Sequence, residues 1–214
     1  MLKIGVDDAG RGPVIGPMIL AGVLVNSEQE KELKKLGVKD SKQLTPKRRE
    51  FLAEKIREII TAHKIVIIYP DEIESSQEQG IKLNEVEAIA CGKIINKLNK
   101  EEEKIKVVLD CPSTSLVKWK DYLLTKIKDL SNLEISCEHK ADQNHVSVSA
   151  ASILAKSERE KEMDKLKEKY SSEIGSGYTS DPSTIKFLKQ YADKYAQDNI
   201  FRKTWVTWKK ASKD

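Results

Sequence analysis

Apolar positions along the chain follow two periods, and the alternation between them sets out the elements. Residues 2–8 and 14–25, the latter rich in Ile, Leu and Val, read as the first two strands. The Gly-Arg-Gly-Pro turn between them is short, which predicts antiparallel pairing. A short charged helix over 28–36 and a loop containing Asp40-Ser41-Lys42 follow. Thr45 is placed to cap a second helix whose first turn accepts Pro46, with Phe51, Leu52, Ile56, Ile59 and Ile60 on its inner face. Residues 64–69 read as a third strand stopped by Pro70, and Leu83, Val86, Ala90, Ile94 and Leu98 recur at helical spacing over 84–98.

The fourth strand, 105–109, runs into Asp110-Cys111-Pro112; a helix over 115–130 separates it from the fifth, 133–137, which leads into Glu138-His139-Lys140-Ala141-Asp142. From Val146 the residues are small (Val-Ser-Val-Ser-Ala-Ala-Ser), so a helix there can approach a sheet closely, and its charged second half, to about 170, extends into solvent. Beyond the glycine-flanked loop 175–178, Asp181-Pro182 opens a further helix to about 197, with Ile185, Leu188, Tyr191 and Tyr195 on one face.

Three strands in succession, then two joined through helices, predict an α/β fold with a mixed sheet: a meander first, right-handed crossovers after it, in the order 3-2-1-4-5. That order carries Asp7 and Asp8, which end strand one, to the same edge as Asp110, which ends strand four, and Asp142, which follows strand five. Ligands of open α/β sheets bind at such strand ends.

Composition narrows the classes. The 214 residues can bury a sizeable core; 34% are charged and 6% aromatic, with Lys and Glu dominating as on ion-pair-rich surfaces. The net charge of +4 is too small to identify a partner by itself, but the tail from Ile200 sets Arg202, Lys203, Lys209, Lys210 and Lys213 against Asp214 and interleaves Trp205 and Trp208. Such a tail either holds a duplex backbone or packs its tryptophans on the core and exposes its lysines. It lacks the paired aromatics of a sliding-clamp peptide. Three scattered cysteines with no zinc spacing, no signal-like N-terminus and no apolar run of bilayer length lead to the expectation of a cytoplasmic protein without membrane contact.

Four gathered carboxylates must hold protons or divalent cations, and oxygen-only ligation favours Mg²⁺ or Mn²⁺ over zinc. Two such ions serve phosphodiester hydrolysis. Taken singly, Asp110 reads equally well as a helix cap ahead of Pro112-Ser113-Thr114, and Asp142 as a loop residue. His139 and His145 flank Asp142, although a lone histidine is more often structural.

The stretch Gly5-Val6-Asp7-Asp8-Ala9-Gly10-Arg11-Gly12-Pro13-Val14-Ile15-Gly16-Pro17 resembles the type 2 ribonucleases H, of the archaeal-like branch. So do Asp40-Ser41-Lys42-Gln43-Leu44, Asp110-Cys111-Pro112, Lys140-Ala141-Asp142, the run 148–156 and Gly175-Ser176-Gly177-Tyr178 with Asp181-Pro182. The resemblance implies a ribonuclease H-like catalytic domain over 1–170 and a helical C-terminal extension over 171–214. It implies an endonuclease of DNA replication and repair, cutting the RNA strand of RNA–DNA hybrids and ribonucleotides embedded in duplex DNA. A two-metal mechanism leaves 3′-hydroxyl and 5′-phosphate ends.

Residue by residue, the resemblance makes Asp7, Asp8, Asp110 and Asp142 the catalytic, metal-binding acids. Gly10, Arg11 and Gly12 sense the 2′-hydroxyl, Tyr178 packs on the following deoxyribose, and Ser41 and Lys42 contact phosphate. Archaeal members act alone, so a monomer without obligate protein subunits is expected. One position departs from the pattern: the family's second acid is normally Glu, and here it is Asp8. The alternatives this opens are a hybrid-binding protein weakened or inactivated by Asp8, and a four-carboxylate exonuclease that requires free ends.

Overall fold

The computed structural model describes residues 1–39, 44–100 and 103–211. Its strands are β1 (Leu2–Ala9), β2 (Met18–Val25), β3 (Ala62–Ile68), β4 (Ile105–Asp110) and β5 (Leu133–Glu138). They form one mixed sheet in the order β3-β2-β1-β4-β5, the order expected from the sequence. β1 pairs parallel with β4, Leu2 opposite Ile105 through Val6 opposite Leu109, and β4 pairs parallel with β5, Asp110 opposite Glu138. This register brings Asp7, Asp8 and Asp110 to the C-terminal ends of neighbouring strands.

The helices are α1 (Ser27–Lys35), α2 (Pro46–Ile59), α3 (Pro70–Glu78), α4 (Leu83–Leu98), α5 (Leu116–Leu124), α6 (Ala141–Asn144), α7 (Val146–Lys169), α8 (Pro182–Tyr191) and α9 (Val206–Ala211). Thr45 caps α2 through its side chain, as expected, and the buried face is Arg49, Leu52, Ala53 and Ile56. Phe51, expected inside, is 42% exposed and lies under the Arg48 guanidinium at 4.9 Å. Pro70 does end β3, but it also occupies the first turn of a helix the apolar period does not announce, where the Glu72 side chain accepts the Tyr69 amide at 2.9 Å.

The second strand begins at Met18, not at Val14. Gly16 has φ +86°, and the amides of Val14 and Ile15 donate to the Gly177 carbonyl, at 2.9 and 3.3 Å, so those two residues are paired away from the strand that follows them. The helix after β4 stops at Leu124, short of the expected 130.

The chain divides into two compact units, each made of separated stretches. The first comprises Met1–Ala9, Leu20–Val66 and Leu83–Ser157. Within it the small residues opening α7 run so close to β1 that a Cβ on Gly5 would stand 2.3 Å from the Ser147 carbonyl carbon. The second comprises Gly10–Ile19, Ile67–Lys82 and Glu158–Asp214. Its core gathers Val14, Ile15, Met163, Ile174, Phe187, Leu188, Phe201 and Trp208, with Phe201 and Trp208 rings 4.5 Å apart. No helix among the described residues is long and apolar enough to cross a membrane.

Candidate active site

Asp7 sits at the end of β1 with only 6% of its surface exposed. Its carboxylate accepts the Asp8 amide at 2.7 Å and a hydrogen bond from the Ser152 hydroxyl on α7. Burial, then the charge of Asp8, and more weakly that of Asp110, push its pKa well above the usual carboxylate range despite those two donors. Three of the four sequence-predicted acids therefore act on one another electrostatically. Asp8 also adjoins α4: the buried Cys91 thiol is pushed up by its burial, then by Glu87 and Asp8.

Asp110 is linked to the segment after β5. Lys140 adopts a left-handed conformation, φ 56° and ψ 39°, and the Ala141 amide beyond it donates to Asp110 Oδ1 at 3.0 Å. A non-glycine residue in that region is strained and needs surrounding contacts to hold it. Asp142, the next residue, is 4% exposed in the first turn of α6, and its carbonyl accepts the Ser149 hydroxyl at 2.5 Å. The structure thus places Asp142 one residue from the amide that binds Asp110. Among the described residues no three His, Cys, Asp or Glu side chains stand in position to hold a metal ion.

The two histidines brace this edge. His139 Nδ1 lies 3.1 Å from the Cys111 carbonyl and His145 Nε2 2.8 Å from Glu138, whose pKa is held low by the Ser136 hydroxyl and then by His145.

The acids are all oxygen donors, and the cost of a buried charge beside Asp8 and Asp110 at Asp7 is what a divalent cation would relieve, so the donor set fits Mg²⁺ or Mn²⁺.

Four of the substrate-binding candidates, Gly10, Arg11, Gly12 and Tyr178, lie in the second unit. Gly10 takes φ +78°, and a Cβ there would stand 2.4 Å from Arg159 Nε and 2.8 Å from the Pro17 carbonyl oxygen; only glycine fits. Gly12 faces the Tyr178 ring, whose Cε1 would lie 4.0 Å from a Cβ at that position. Tyr178 is 39% exposed; the Arg159 guanidinium lies 5.0 Å from its centroid and donates to the Ser176 carbonyl at 2.9 Å. The Gly10-Arg11-Gly12 turn and Tyr178 are therefore brought together, with Arg159 joining them. Asp181 serves the same loop: the Ser176 amide holds its carboxylate below the usual range, at 2.7 Å. Ser41 and Lys42 lie outside the described residues.

Sequence reasoning did not assign Ser152, Arg159 or Arg202 to the site. The small-residue run 148–156 contains Ser152, but no spacing rule aims its hydroxyl at Asp7. Arg202, read from the sequence as one of several basic tail residues, is fully buried at 0% exposure, donating to backbone carbonyls of the turn.

A family model described as Ribonuclease HII matches residues 4–208. The Ribonuclease HII of Methanococcus maripaludis (strain C7) is 45% identical over 212 residues, 99% of this chain and 87% of that protein. The crystal structure of the ribonuclease H2 from Pyrococcus horikoshii OT3 is similar at TM-score 0.87 and 37% identity, covering 99% of this chain and 97% of that one. A chain of the PCNA:RNase HII complex from Archaeoglobus fulgidus is similar at TM-score 0.83 and 37% identity, covering 96% and 95%. Identity of this size over nearly the whole chain, with the family model matched from residue 4 to 208, leads to one conclusion: the chain belongs to the ribonuclease HII family, endoribonucleases that act on RNA–DNA hybrids.

Proposed function

We propose that this ribonuclease also cuts duplex DNA at single embedded ribonucleotides, as an endonuclease leaving 3′-hydroxyl and 5′-phosphate ends, without an obligate protein subunit. The observation that carries the reading is the placement of Asp7: a buried carboxylate at the end of β1, beside Asp8 and next to Asp110 at the end of the adjacent parallel strand β4, its pKa raised by burial first and by those two acids after it. Asp7, Asp8, Asp110 and Asp142 are the residues that would hold Mg²⁺ or Mn²⁺ ions. Held there, such ions would supply Lewis acidity to the scissile phosphate and acidify an attacking water.

The chain's own residues do the rest. Gly10-Arg11-Gly12 presents backbone groups to the 2′-hydroxyl, the feature that separates RNA from DNA at a given nucleotide. Tyr178 offers its exposed face to the deoxyribose on the 3′ side, with Arg159 behind the ring fixing its tilt. Ser41 and Lys42 hold a phosphate. Ser152 keeps the Asp7 carboxylate oriented through its hydroxyl.

Asp8 is the position that tests the metal assignment. A glutamate there reaches one methylene further from β1. Asp8→Glu is expected to keep Mg²⁺-dependent cleavage of an RNA–DNA hybrid at the native rate or raise it, by up to ~10²-fold, the scale on which about 1 Å of misplacement acts on a catalytic group. Initial rates on a labelled hybrid, in Mg²⁺ and then in Mn²⁺, decide this. Abolished cleavage in both would remove Asp8 from the ligand set. A native chain that binds hybrid without cutting it would make Asp8 an inactivating change.

A further inference from the structure

The tail beyond Ile200 is built into the ribose-sensing turn. Residues 200–202 lie alongside 14–16: the Gly16 amide donates to the Ile200 carbonyl at 2.9 Å, the Arg202 amide to the Val14 carbonyl at 2.9 Å, and Ile15 bridges Phe201. This short ribbon delivers the Arg202 side chain behind the turn. Its Nη2 donates to the Gly10 carbonyl at 2.5 Å and to that of Gly16 at 3.0 Å, while Nη1 donates to the Arg11 carbonyl at 2.7 Å. Trp205 Nε1 donates to the Gly12 carbonyl at 3.1 Å, and the Arg202 guanidinium lies 5.2 Å from the Trp205 ring centroid. All three carbonyls of Gly10-Arg11-Gly12 are thus drawn toward the tail by two side chains.

A trans peptide is planar, with its C=O and N–H pointing to opposite sides. Holding the Gly10 carbonyl inward therefore turns the Arg11 amide outward, and holding the Arg11 carbonyl inward turns out that of Gly12. An arginine fork can engage several carbonyls at fixed angles; a lysine ammonium cannot reproduce that spread. Full burial excludes the duplex backbone as the partner of Arg202.

We infer that Arg202 and Trp205 are positioning residues for ribonucleotide discrimination: Arg202 sets the direction of the Arg11 and Gly12 amides that meet the 2′-hydroxyl, and Trp205, whose acceptor precedes Pro13 and so orients no N–H, fixes the far end of the turn. The inference rests on the reading of Gly10-Arg11-Gly12 as the ribose-sensing turn.

The test uses the full chain with Arg202→Gln, Arg202→Lys and Trp205→Phe. For each, kcat and KM are measured on duplex DNA carrying one ribonucleotide, together with inhibition by the all-DNA duplex of the same sequence and the Tm. Arg202→Gln is expected to lower kcat/KM by about 10–100-fold, the range of an angstrom-scale misplacement, while inhibition by all-DNA duplex stays at the native level. Arg202→Lys does not rescue it. Trp205→Phe, which releases one carbonyl from a partly exposed indole, is expected to cost about three- to tenfold, the worth of one hydrogen bond.

Parallel loss of affinity for both duplexes would make the tail a general binding element and overturn the inference. So would native discrimination in a folded Arg202 variant. If the Arg202 variants do not fold, Trp205→Phe decides alone: unchanged discrimination rejects the inference. A native chain that cuts all-DNA and ribonucleotide-containing duplexes alike would instead refute the ribose-sensing reading of the turn.

Discussion

Asp7→Asn is expected to lower hydrolysis of an RNA–DNA hybrid by about 10³-fold, the upper range for removing one preorganised electrostatic group. In chelator it should at the same time leave the protein more stable than the native chain. The two effects share a cause. Asp7 is buried beside Asp8 and Asp110, and its charge is disfavoured by burial first and by those neighbours second. Its folded-state pKa lies above the unfolded one, so the ionised group costs stability at neutral pH and the penalty disappears as pH falls.

Asparagine keeps the shape and cannot ionise. It retains an oxygen to accept the Asp8 amide and the Ser152 hydroxyl. A gain of ~2–4 °C in Tm corresponds to about 1 kcal/mol in a chain of this length. Mg²⁺ should raise the Tm of the native chain and barely move that of the variant, because a ligand stabilises only the state that binds it. Calorimetry with EDTA and with Mg²⁺, beside a hybrid cleavage assay, measures both halves. Native-level hydrolysis by Asp7→Asn would contradict the site.

Gly5→Ala carries the largest expected loss of stability. An alanine Cβ would meet the Ser147 carbonyl carbon at 2.3 Å, its oxygen at 2.5 Å and the Val148 nitrogen at 2.5 Å. All three are backbone atoms of the first turn of α7, so no side-chain rotation relieves the overlap. The helix must move off β1, opening the packing around Val108, Ala141 and Val148. Overpacking of a core costs typically ~1–3 kcal/mol, and a backbone clash belongs at or beyond the top of that range. A fall in Tm of about 6–12 °C follows for roughly 3 kcal/mol. An unchanged Tm would mean that α7 does not lie against β1 as described.

Both effects trace to features visible in the sequence to different degrees. The close approach of α7 was legible in the small residues of the run Val-Ser-Val-Ser-Ala-Ala-Ser, whereas the part of Gly5 on β1 is evident only in the structure. Strand order was legible because three strands in a meander and two crossovers admit few arrangements, and the acids at the strand ends followed from it. What escaped were features of direction. A proline that stops β3 also starts α3, and apolar spacing carries no sign of the second role. Phe51 satisfies a helical face count yet lies outside, its ring covered by Arg48.

Arg202 looked like its neighbours Lys203 and Lys209 because composition records charge and not burial. Its place emerges only once residues 200–202 pair with 14–16, some 186 positions away, a contact no local rule anticipates. Of the two readings of the tail, packing on the core describes Trp208, which is 7% exposed, while Lys209 and Lys210 face solvent. Trp205 also packs against that core, partly buried, and in addition donates its indole N–H to the turn.

The central claim is endonucleolytic recognition of a single ribonucleotide, and a covalently closed circular duplex with one such nucleotide tests it most directly. Incubated with the native chain and Mg²⁺, the supercoiled circle is predicted to become an open circle. One nick at the ribonucleotide should carry a 3′-hydroxyl and a 5′-phosphate, while an all-DNA circle stays closed. A circle that survives intact, is cut only after linearisation, or is nicked equally without the ribonucleotide would contradict it.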